Sequence, residues 1–124
     1  MANARQVKKK MRETAAQRQR KLAGLLQEYL FQDTPKDTHW AASNWIFNKD
    51  RPHTHVSGSK LNVSYAEAKT SAGILKRWNP YRGPVVLSNN VPYIGLLNAG
   101  HSPQAPPGFV QDAIRRSTQD ARRR

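Results

Sequence analysis

The chain has 124 residues, 37% hydrophobic and 23% charged, with 21 Lys and Arg against eight Asp and Glu and a formal net charge of +13. A chain of this length makes a single core, which excludes a large enzyme with a separate cofactor domain, and the absence of cysteine excludes a disulfide framework, a zinc ribbon, a thiolate nucleophile and an iron–sulfur cluster. Apolar runs fall far short of the roughly 20 residues that cross a bilayer, and the N-terminus has no signal-peptide stretch, so a soluble protein without a membrane partner is expected.

The N-terminal 21 residues hold eight Lys and Arg against one Glu, the densest charge in the chain. Leu22, Leu25, Leu26, Tyr29 and Leu30 follow the i, i+3, i+4, i+7, i+8 spacing, weakly extended by Val7 and Met11, which predicts one long helix over 4–31. Its second half is the anchored half. The first, rich in Ala, Gln, Lys and Arg, is expected to be helical only when packed on a partner and otherwise frayed. Residues 1–21 therefore read as a basic helical arm, with Lys8, Lys9, Lys10, Arg12, Arg18, Arg20 and Lys21 as its contact residues.

Asp33-Thr34-Pro35 stops this helix, and Asp37-Thr38 offers an N-cap for a short second helix through Trp40, Ala41 and Ala42. Trp45, Ile46 and Phe47 follow as a strand. The stretch 48–59 reads as a mobile loop with a short extended segment at Thr54 to Val56. A helix is predicted over 65–77, weakened by Gly73, and Asn79-Pro80 breaks it. A short strand follows over Pro84 to Leu87, then a turn at Ser88-Asn89-Asn90. Pro92 opens a helix through Tyr93, Ile94, Leu96 and Leu97, closed by Gly100. The Pro-rich hinge 102–108 leads to a last helix whose face is Val110, Ala113, Ile114 and Ser117. The expected fold is α+β: a small antiparallel β-sheet packed with helices, a long N-terminal helix and a C-terminal helix. A single domain is expected over 22–117, followed by an Arg-rich tail over 118–124 with Arg122, Arg123 and Arg124 as further basic contacts.

Chemistry-bearing patterns are sparse. His53 and His55 could present two imidazoles on one side of an extended segment, but a metal site needs a third ligand and only loop residue Asp50 is near, so solvated loop histidines are expected and no metal. No zincin, Walker, nucleophile-elbow or dinucleotide motif occurs. Asp33, Asp37 and Asp50 sit at turns, where capping or loop solvation accounts for them. Neither an enzyme nor a cofactor is expected. Trp40, Trp45 and Trp78 are read as core or subunit-interface aromatics rather than base-stacking platforms.

Two stretches together resemble the small phage head-to-tail joining proteins, the tail-completion, neck or minor tail Z-type family. The first runs from Thr34 through Asp37, Thr38 and Asn44 to Trp45 and is similar to the family pattern P-x-D-T-G-x-x-x-x-x-W. The second runs from Asn89, Asn90, Val91, Pro92 and Tyr93 through Leu97, Gly100 and Ser102. It continues with Gln104, Ala105, Pro106, Gly108 and Val110, similar to NNVPYAxxLExGxSxQAPxGxV. The chain departs from the patterns at His39, where Gly is usual, at Trp40, where a polar or basic residue is common, and at Asn98, where Glu often sits.

The resemblance implies a non-enzymatic virion protein forming a homo-oligomeric ring, sixfold or twelvefold, at the neck of a tailed phage and assembled in the host bacterial cytoplasm. Such a ring joins the portal-associated adaptor or stopper to the tail tube and seals or extends the DNA channel, as terminator, adaptor or completion protein. Motif residues then act in packing and presentation, and the basic arms reach neighbouring subunits, acidic connector surfaces or packaged DNA. One rival is a basic nucleic-acid-binding module, which the sequence pI of 10.8 equally suits. Another is a small toxin-like nuclease built on His53, His55 or His101 with a carboxylate.

Overall fold

The computed structural model describes residues 3–123. Helix α1 spans Ala4–Asp33, a 3-10 turn spans Ala42–Asn44, and strand β1 spans Ile46–Lys49. Helix α2 spans Ala66–Ser71 and runs into a 3-10 turn over Ala72–Lys76; strand β2 spans Val85–Ser88. Helix α3 spans Ile94–Asn98 and helix α4 spans Phe109–Ala121. The two strands form one antiparallel sheet with Phe47 opposite Leu87 and Ile46 opposite Ser88. The fold is α+β, with a long N-terminal helix, a two-stranded sheet and a C-terminal helix. No described helix is long and apolar enough to cross a membrane.

The core gathers where α1 meets α4 and the residue before β1: Leu30, Trp45, Ala105, Phe109 and Ala113 are buried together, ringed by Leu26, Tyr29, Ile94 and Leu97 among others. Each large side chain removed from water here contributes roughly 1.5–3 kcal/mol before entropy is counted. Helix α4 lies against the second half of α1 with Phe109, Ala113, Ser117 and Ala121 buried, a stripe repeating every four residues. The expected face was Val110, Ala113, Ile114 and Ser117. Ile114 instead stands 46% exposed, because small Ala and Ser side chains let the helices approach closely. The buried Gln27 amide donates to the carbonyls of Trp45 (2.9 Å) and Ala68 (3.0 Å), tying α1 to the residue before β1 and to α2.

Several local expectations change. The first half of α1 is a regular helix although nothing covers most of it. A capping box holds its start, Asn3 Oδ1 accepting from the Gln6 amide while Gln6 Oε1 accepts from the Asn3 amide. No helix begins at Asp37-Thr38; only the turn over Ala42–Asn44 forms, without a side-chain cap. His39 adopts φ +63°, a left-handed value that interrupts any helix there. The expected strand at Trp45 starts one residue later, and that over 84–87 also shifts by one, to Val85–Ser88. The segment 54–56 is not a strand. The predicted 65–77 helix tightens into a 3-10 turn after Ser71, the part that contains Gly73.

Candidate functional site

Residues 46–88 separate the two motif stretches, and the fold joins them on one side of the molecule. Gln104 is the clasp: its Oε1 accepts from the Lys36 amide (2.6 Å) and its Nε2 donates to the Asp37 carboxylate. Asn89 Nδ2 donates to the Ala41 carbonyl (2.8 Å), and Asn90 Nδ2 donates to the carbonyls of His53 (2.8 Å) and His55 (3.2 Å). Trp45 is buried and donates from Nε1 to Thr34 Oγ1 (2.8 Å), closing the first stretch on itself. The rings of Trp40 and Tyr93 lie 5.9 Å apart, and Lys60 sits over the Tyr93 ring at 5.2 Å. Tyr93 and Leu97 stay half-exposed on the wall of a groove of about 250 Å³ shared with Pro35, Asp37, Thr38 and Lys60.

The remaining motif residues shape the chain around this groove. Thr38 Oγ1 accepts from the Trp40 amide (3.3 Å), and Pro92 stands exposed just before Tyr93. Gly100 takes φ +95°, and a Cβ there would lie 2.7 Å from Pro107 Cγ, so both conformation and space require glycine. Ser102 Oγ accepts from the Gln104 amide (3.1 Å) and sets the clasp. Ala105 is buried, Pro106 is exposed, and Gly108 turns the chain into α4 with φ +78°. Asn98 carries a role the sequence did not announce. Its carbonyl accepts from the Gly108 amide (2.7 Å) and its Oδ1 from the Val110 amide (3.0 Å), capping α4 from another helix because Gly108 has no side chain to do so.

The loop expected to be mobile is tied down by side chains. Asn44, fully buried, accepts from the Ser57 amide (2.7 Å) and donates to the Ser57 carbonyl (3.1 Å), while Trp40 Nε1 donates to that same carbonyl (3.1 Å). Beyond this anchor a tight turn, bridged between Ser59 and Asn62, carries Leu61 fully exposed at 100%. At the loop's start His53 is buried and shares a 2.8 Å hydrogen bond with Ser88, and its Nε2 has no partner among the described residues. Burial, reinforced by the neighbouring His55, pushes the His53 imidazole below its usual range. His55 pairs with Glu67, and that hydrogen bond holds the Glu67 carboxyl below the ordinary carboxylate range. Among the described residues no cluster of three His, Asp or Glu is placed to hold a metal ion. His101 is exposed.

The basic residues divide into two sets. On α4, Arg115 and Arg116 pair with Asp112 (2.6 and 2.9 Å), Arg116 also with Asp33, and Arg123 with Asp120 at 3.6 Å. On α1, none of Lys8, Lys9, Lys10, Arg12, Arg18, Arg20 and Lys21 meets a carboxylate among the described residues. Lys21 Nζ donates to the Arg123 carbonyl (2.6 Å), so the chain's two basic ends meet; Arg122 is exposed beside them, and Arg124 lies outside the described residues. Arg12 lies 5.4 Å over the ring of Tyr81, and Arg20 donates to the Trp78 carbonyl (2.7 Å). Together these form a groove of about 490 Å³ between α1 and the 79–81 turn. No protein-family model, curated protein or solved structure matches the chain.

Proposed function

We propose that the chain is a non-enzymatic structural protein of a tailed phage, a ring at the virion neck that joins the portal-associated connector to the tail and continues the DNA channel. The observation that carries this reading is the backbone at His39. This residue stands where the head-to-tail joining pattern has Gly, and its φ of +63° is the conformation for which Gly is the ordinary choice. The clasp of Gln104 on Lys36 and Asp37 supports it too, since it gives both halves of the resemblance one structural purpose.

Ring assembly needs apolar surface that one subunit leaves open. Leu61 on its anchored turn and Leu96 (54% exposed) beside the Tyr93–Leu97 groove offer it. A closed ring repeats one such contact by symmetry, so a modest patch suffices. Partners on either side are the connector and the tail tube; the sixfold or twelvefold choice follows from the family context. Light scattering behind size exclusion at low and high salt, with negative-stain microscopy of the same fractions, tests the assembly. Rings of one size that survive high salt are expected, and a chain that stays monomeric at every salt concentration overturns the reading.

A further inference from the structure

Four of the eight cations of α1 share one face of the helix. By the helical period, Arg5, Lys9, Arg12 and Arg20 fall on the face that, further along, enters the core through Gln27 and Leu30. From Arg5 to Arg20 they follow about 22 Å of straight axis at 1.5 Å per residue. Val7 and the 67% exposed Met11 lie on the opposite side together with Lys10, Arg18 and Lys21, which line neither groove. A second groove of about 450 Å³ shares Asn79 with the first and adds Lys49, Arg77 and Arg82, none of them paired with a carboxylate among the described residues. Glu13 and Asp50 are the acids along this path.

We infer that this continuous strip, from the first turns of α1 across Tyr81 to Arg77 and Arg82, holds the phosphodiester backbone of duplex DNA. Four features select that partner. The cations form a row rather than a pocket, which matches a uniform line charge. Tyr81, 56% exposed, keeps the Arg12 guanidinium on its ring and so presents it instead of leaving it to wander. The groove floor between the charges is Ala16, too small to anchor an apolar side chain of an acidic protein. Finally, α1 has no acid in its first turn to offset its own helix dipole, so the positive potential of that turn adds to the strip. The paired arginines of α4 take no part. This inference rests on the neck reading for the source of its DNA, the genome crossing the ring, and its chemistry stands on the strip alone.

The test is fluorescence anisotropy of the full chain on a labelled random-sequence duplex across a potassium chloride series. With five or so phosphates neutralised, log affinity against log salt is expected to fall with a slope of about −4 to −5. Arg5→Gln, Lys9→Gln and Arg12→Gln together are expected to flatten the slope by about 3 units, and Arg77→Gln with Arg82→Gln by about 2. Arg115→Gln leaves it unchanged. Tyr81→Ala weakens binding with the slope intact, and Tyr81→Phe restores it, because the ring orients a charge and is not one. Circular dichroism of each variant checks that α1 is kept. An unchanged slope in the α1 variant, or tighter partition onto anionic lipid vesicles than onto the duplex, overturns the strip. Salt-resistant rings without duplex binding would sink the strip and leave the neck; duplex binding by a permanent monomer would do the reverse.

Discussion

The left-handed backbone at His39 costs an L-residue roughly 1–2 kcal/mol. Part of that is recovered through the His39 Nδ1 contact with the Tyr65 hydroxyl at 3.1 Å. His39→Gly is expected to be tolerated within about 1 kcal/mol in urea unfolding, relief of strain offsetting the lost contact and the greater freedom of the unfolded chain. His39→Val, β-branched at positive φ, is expected to cost about 1–3 kcal/mol. His53 makes a second residue-level prediction. Its folded pKa lies below the unfolded value near 6.5, so the unfolded chain takes up the proton first as pH falls. The stability from its neutral buried state is present above about pH 6.5 and is lost on acidification through that value toward the folded pKa. Melting temperature should therefore drop from pH 7.5 to pH 5, and His53→Asn should flatten that drop; an equally steep drop in the variant would place the effect elsewhere.

Between elements, the joint of α1 with α4 depends on small side chains. Ala113 is completely buried in it, and Ala113→Leu is expected to destabilise by about 1–3 kcal/mol through overpacking, read from the urea midpoint. The same joint shows what the sequence could convey. Leu26, Tyr29 and Leu30 announce α1 by their spacing, and the stops are written in Pro35, whose ring fixes φ, and in Gly100, which alone adopts positive φ without strain. Ala113, Ser117 and Ala121 announce no face at all, since a hydrophobicity pattern weighs Ile114 above them. Elements set by distant partners were equally silent: the loop around Ser57 is held by Asn44, and the start of α4 by Asn98, side chains whose partners lie 12 or 13 residues away. Local propensity cannot encode a hydrogen bond made across the fold. The basic arm was legible as charge, whereas its extension onto Arg77 and Arg82 was not, because only the fold places the 79–81 turn beside α1.

For the molecule as a whole, the turn bearing Leu61 separates assembly from folding. Leu61 contributes nothing to the monomer's interior, so Leu61→Asp is expected to shift monomer stability by less than about 0.5 kcal/mol while removing the ring peak in light scattering. Rings of undiminished size in this variant would move the interface to another surface. The meeting of α1 with α4 also bears on how the protein comes into being. Its main core joins Leu30 to Phe109 and Ala113, so during synthesis α1 must wait for α4, about 75 residues later in the sequence, before its apolar side is covered. During that interval the nascent chain shows a charged rod with an open seam. Its net positive charge is expected to repel the like rods of neighbouring unfinished chains until α4 arrives to close the seam.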